Sequence, residues 1–126
     1  MADGAAVEAT RKALEQETMA LQDLRKEQAT LVATRQTLDS QLQENELVDK
    51  EFGLLKDDAR IYKMVGPVLV PQERAESVAN VQKRLEYIRG EMKRVDDRMD
   101  KLAAEQQKRS MSAYKLQMEI QGVSTA

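Results

Sequence analysis

The sequence predicts a mostly α protein, a long antiparallel two-helix coiled coil with a single β-hairpin at the connecting end. Three observations predict it: an apolar heptad before residue 55, a second heptad after residue 73, and between them one short stretch of β composition, Ile61 to Pro71. Residues 1–126 read as one domain, with helices over about 7–55 and 73–121 and the hairpin over about 61–71.

The first helix rests on the spacing of its apolar residues. With Val7 at position a, the a and d sites are Val7, Thr10, Leu14, Glu17, Leu21, Leu24, Gln28, Leu31, Arg35, Leu38, Leu42, Asn45, Asp49 and Phe52. Leucines recurring at alternate steps of three and four, with charged and Gln-rich residues between, make a coiled-coil seam. The segment contains no Pro and is rich in Leu, Glu, Gln, Arg and Ala, so one continuous helix is expected. Lys56-Asp57-Asp58-Ala59-Arg60 then ends it.

Tyr62 to Val65 and Val68 to Val70 are β-branched or apolar runs on either side of Gly66-Pro67, the composition of two short strands and a tight turn. Gly66 can take positive φ and Pro67 presets the next φ near −65°, which suits a type II′ turn. That turn places Val65 opposite Val68, Met64 opposite Leu69, Lys63 opposite Val70 and Tyr62 opposite Pro71. Tyr62, Met64, Leu69 and Pro71 then share one face, and Ile61, Val65, Val68 and Val70 the other. Two apolar faces and two open edges are more than an isolated hairpin can bury. Completion by strands from other chains is expected, the alternative being a hairpin folded back onto the base of its own helices.

After Pro71, Glu73 and Glu76 stand where a first helical turn favours negative charge. The second seam reads Val78, Val81, Leu85, Ile88, Met92, Val95, Met99, Leu102, Gln106, Arg109, Ala113, Leu116, Ile120 and Val123, twelve of fourteen apolar. Gly90 falls at an outward position and costs about 1 kcal/mol. Helices of about 48 residues are ~72 Å long, whereas the roughly 17 residues between them reach at most ~60 Å. A parallel pair within the chain is excluded, which leaves the antiparallel one.

Composition removes several function classes. One Phe, three Tyr and no Trp leave little for a globular core. Charged residues are 33% of the chain at net −2, so no clustered basic excess points to nucleic acid. Absence of Cys and His removes disulfides, thiolate chemistry and the commonest metal ligands. No apolar run approaches the ~20 residues that span a bilayer, and the opening Met1-Ala2-Asp3-Gly4 lacks a signal peptide's basic and apolar regions. A soluble intracellular protein without membrane or nucleic-acid partners is expected. Ser40, Ser77, Ser110 and Ser112 have no His to activate them, and Asp57-Asp58 and Asp96-Asp97 read as charged surface rather than a metal cage. Neither catalytic residues, nor a cofactor site, nor a metal site is expected.

The informative departures lie off the seam, at the end of the stalk away from the hairpin. Met111, Tyr114 and Met118, spaced i, i+3, i+7, form an outward stripe, and Met19 occupies an outward position near them in an antiparallel pair. Methionine suits adaptable apolar contacts, so this is a candidate binding surface; the alternative is a set of tolerated surface residues. Polar seam sites Gln28, Arg35, Gln106 and Arg109 lie in the same part and weaken the coil there.

Val65-Gly66-Pro67-Val68-Leu69-Val70 followed by Gln72-Glu73, with Leu42-Gln43-Glu44-Asn45 upstream and Lys83-Arg84-Leu85-Glu86-Tyr87-Ile88 downstream, resembles the β-class subunits of prefoldin over roughly Leu14 to Leu116. Pro71 stands where related chains often carry a polar or charged residue. The resemblance implies a cytoplasmic heterohexamer of two α-class and four β-class subunits, this chain among the four. Hairpins build linked β-barrels in it, here Ile61, Tyr62, Met64, Val65, Gly66, Pro67, Val68, Leu69 and Val70. Coiled-coil tips hold unfolded clients, here through Met19, Met111, Tyr114 and Met118. It further implies an ATP-independent holding chaperone, without cofactor, that passes actin- and tubulin-like clients to the cytosolic chaperonin. The competing class is a structural coiled-coil adaptor whose hairpin binds one fixed partner by strand addition.

Overall fold

The computed structural model of the chain describes residues 4–125, with side chains as far as residue 122. The predicted seam residue Val123 lies outside the described side chains. The elements are α1 (Gly4–Leu54), β1 (Ile61–Val65), β2 (Val68–Gln72) and α2 (Arg74–Thr125). α1 begins earlier than expected because Ala5 and Ala6 extend it without a breaker. It ends one residue short of the expected position, where the Leu55 N–H turns back to the Phe52 carbonyl at 3.3 Å. The loop that follows is tied by Ala59 N–H to the Lys56 carbonyl at 3.0 Å, and the Arg74 guanidinium donates to that same carbonyl.

The described residues form two compact units, 4–33 with 96–125, and 34–95. In the first unit α1 and α2 run antiparallel, as their cross-helix pairs show: Glu27 with Arg98, Gln28 with Gln106, and Glu17 with Arg109. Its buried residues are Leu21, Leu24 and Leu102, the last with no exposed surface. Nothing described before Leu21 in α1 or after Leu102 in α2 is fully buried.

The second unit is also an antiparallel pair, with Asp49 accepting from Gln82 at 2.7 Å and Glu46 facing Arg89 at 3.5 Å. Leu38, Val81, Leu85, Ile88, Met92 and Val95 form its core. Removing a side chain such as Leu85 from water contributes roughly 1.5–3 kcal/mol. In both units every predicted a and d position with a described side chain is buried or half-buried. Among the described residues, every fully buried apolar side chain lies on this narrow seam.

β1 and β2 pair antiparallel with Val65↔Val68, Met64↔Leu69, Lys63↔Val70 and Tyr62↔Pro71, the expected register, and one further pair, Ile61↔Gln72. Pairing thus continues past Pro71. Gly66 has φ of +58°, and no other described residue has positive φ. Positive φ at the first central position followed by a proline, which is held near −65°, is the type II′ pattern. α2 starts behind the hairpin, with Glu76 in its first turn and Glu73 just outside it. There the Ser77 N–H bonds the Glu73 carbonyl at 3.0 Å, and the buried Ser77 hydroxyl donates to Gln72 Oε1 at 3.1 Å.

Candidate functional site

Two surfaces stand out because the seam does not need them. The first is the hairpin. Only its terminal pair, Ile61 and Gln72, is half-buried; every residue from Tyr62 to Pro71 is exposed. Among its large apolar side chains exposure runs from 40% at Val70 to 66% at Met64. Within this chain the hairpin is therefore not folded back onto its helices beyond its base. That base is a groove of about 160 Å³ whose lining includes Phe52, Ile61, Tyr62, Gln72 and Val81. The sheet so anchored presents apolar side chains on both faces and unpaired backbone groups on both edges.

The second surface belongs to the unit that holds both chain termini. Met111, Tyr114 and Met118 are 57%, 64% and 49% exposed, and Met19 is 64% exposed. Met111 and Met118 occupy position f, Tyr114 position b, and Met19 position f of its own heptad. Position f is the point farthest from the seam, so Met19 faces away from α2 and the stripe faces away from α1. The unit thus carries two apolar patches. Met19 lines a shallow, mainly apolar groove made by α1 alone, with Arg11, Leu14, Glu15 and Thr18. Between the helices of the same unit lies a groove of about 300 Å³ lined by Glu17, Glu105, Lys108, Arg109 and Ser112.

Charge in this unit is organised by ion pairs. Arg98 makes two bonds to the Glu27 carboxylate, Nε at 2.7 Å and an Nη at 2.9 Å. That hydrogen bonding, with the guanidinium's charge added, holds the Glu27 carboxyl below the usual carboxylate range and raises Arg98. Arg109 reaches Glu17 at 3.4 Å and Glu105 at 3.6 Å. Among the described residues no group of three acidic side chains is disposed to hold a metal ion. No described helix is long and apolar enough to cross a membrane.

Sequence reasoning missed a third set of exposed apolar residues. Leu47 and Leu54, 60% and 75% exposed, lie seven apart at position f of α1, and Tyr87 is exposed on α2. The heptad itself carried the signal, since leucine at f has no seam to fill. It also missed that polar seam residues would find one another, as Glu17 does Arg109 and Gln28 does Gln106.

Comparison with known proteins places this geometry. A family model described as "Prefoldin subunit" matches residues 15–120. Prefoldin subunit 6 of Arabidopsis thaliana is 48% identical over 83 residues, covering 66% of this chain and 64% of that protein. Probable prefoldin subunit 6 of Drosophila melanogaster is 40% identical over 110 residues, 87% and 88% of the two chains. Prefoldin subunit 6 of Homo sapiens is 36% identical over 119 residues, 94% and 92%. Among solved structures, the prefoldin beta subunit from Thermococcus strain KS-1 is similar with a TM-score of 0.66 at 21% identity, covering 88% of this chain and 91% of that one. The last likeness is one of fold, two helices around one hairpin. With a family match over most of its length and relatives well above 30% identity, this chain belongs to the prefoldin subunit family.

Proposed function

We propose that the chain is one subunit of a cytoplasmic, heterohexameric, ATP-independent holding chaperone. It assembles through its hairpin with two α-class and three further β-class subunits. It binds unfolded actin- or tubulin-like chains with Met111, Tyr114, Met118 and Met19, and the assembly passes them to the cytosolic chaperonin. The observation that carries the reading is the hairpin: a two-stranded sheet whose apolar residues from Tyr62 to Val70 stay exposed on both faces. Such a sheet is stable when neighbours pair its edges and cover its faces.

Client contact is supported by the exposed methionines and tyrosine, adaptable apolar groups on faces the coil leaves open. Patches this small hold a chain weakly, and six subunits engaging one client supply avidity while each contact releases readily.

The test has two readings. Native mass of the complex recovered with the tagged chain is expected to show a hexamer of small, related, non-identical subunits. A lone dimer, or a complex with one large folded partner, overturns the assembly and favours the adaptor. With the hexamer in hand, Met111→Gln/Tyr114→Gln/Met118→Gln is expected to lose most suppression of client aggregation. Undiminished protection by an intact hexamer overturns the stripe.

A further inference from the structure

The two edges of the hairpin are chemically unequal. The closing pair of a two-residue turn exchanges hydrogen bonds and the ladder then alternates. Val65↔Val68, Lys63↔Val70 and Ile61↔Gln72 are therefore the bonded pairs, while Met64↔Leu69 and Tyr62↔Pro71 are not. Backbone groups of the non-bonded residues point outward. β1 thus presents the N–H and C=O of both Tyr62 and Met64 along its free edge. β2 presents those of Leu69, but at Pro71 only a carbonyl.

Pro71 costs the hairpin no internal bond, because the donor it lacks would have faced outward. Its effect falls on whatever comes next to β2. A neighbour's carbonyl opposite position 71 finds no donor, and a buried acceptor left unmet costs more than a made bond contributes. β1 carries no such interruption, and its exposed Tyr62, Lys63, Met64 and Val65 leave that strand uncovered in this chain.

We infer that a sister subunit's strand pairs along β1 from Tyr62 to Met64, whereas the neighbour at β2 is held at Leu69 and parts from the strand before Pro71. The inference rests on the assembly reading above. The occupant is an extended backbone segment of another subunit, because the β1 edge offers donor–acceptor sets two residues apart, the spacing of another strand.

Amide hydrogen exchange at single-residue resolution tests it, on the full chain alone and in the complete assembly with its sister subunits. Assembly is expected to slow the Tyr62 and Met64 amides by roughly tenfold or more, the protection one added hydrogen bond supplies. In assembled Pro71→Ala the restored amide at position 71 is expected to exchange as fast as in the free chain. Tyr62 and Met64 exchanging at free-chain rates within a hexamer of verified mass overturns the inference, as does protection of the restored amide. A wild-type chain that forms no hexamer overturns the assembly reading and this inference together, and native mass tells the two failures apart.

Discussion

Gln106 donates its side-chain amide to Gln28 Oε1 at 3.1 Å, joining the polar exception in one helix's seam to the polar exception in the other's. Both residues are half-buried at heptad position a. A polar pair inside an apolar seam gives up stability and favours the one register in which the two side chains meet. Gln106→Leu alone leaves the Gln28 amide facing a leucine and is expected to cost about 1 kcal/mol. Gln28→Leu together with Gln106→Leu is expected to raise stability above wild type by about 1 kcal/mol, since both partners become apolar. Urea unfolding followed by helical circular dichroism decides it; a double variant less stable than the single one defeats the account.

The Glu27–Arg98 pair has a pH signature. Arg98 lowers the Glu27 carboxyl in the folded chain, so ionised Glu27 favours the folded state. That contribution is present above the ordinary carboxylate range and is lost as pH falls through the lowered value. The pair is solvent-exposed, so its share of stability is small. Its titration is the sharper readout. The carboxyl carbon shift of Glu27, followed by NMR, is expected to titrate below the ordinary carboxylate range in wild type and to move upward in Arg98→Met. A Glu27 midpoint that does not move on substitution shows that Arg98 is not its cause.

Residue pattern made the seam and the hairpin register legible, because both follow from local spacing. Leu14 to Leu42 repeat at three and four, and a Gly66-Pro67 turn of two residues leaves only one way to pair Val65 with Val68. What was not legible depends on longer-range placement. Which seam layer of α1 meets which of α2 depends on contacts between residues far apart in the chain, and so Glu17 could not be matched to Arg109 beforehand. The far end of β2 was hidden for a related reason. Proline in a strand is neutral or disruptive according to which way its nitrogen faces, and that is a property of the ladder. Met19 and the Met111 stripe looked like one cluster because both point outward. Outward from two different helices is two directions.

Gly90 is a helical glycine with open space around it. A Cβ built there meets nothing within 4 Å, and φ is not positive. Its backbone freedom in the unfolded chain therefore has no compensating role in packing. Gly90→Ala is expected to stabilise the chain by about 0.8–1 kcal/mol, the difference between glycine and alanine in a helix interior. Thermal unfolding of the variant beside wild type checks this, and an unchanged or lowered midpoint counts against an unencumbered site.

Gly66 presents the opposite case with the same empty surroundings. A Cβ there also meets nothing within 4 Å, but φ is +58°, so an L side chain pays in backbone conformation alone. Gly66→Ala is expected to destabilise the hairpin by about 1–2 kcal/mol and, on the assembly reading, to lower incorporation of the chain into the hexamer. Helical content should stay near wild type, because neither seam contains the turn. D-Alanine introduced at position 66 by semisynthesis supplies the same methyl group with the handedness that prefers positive φ, and it is expected to restore incorporation. Equal loss with both enantiomers would assign the glycine's role to side-chain volume, for instance against a neighbouring subunit, rather than to the turn.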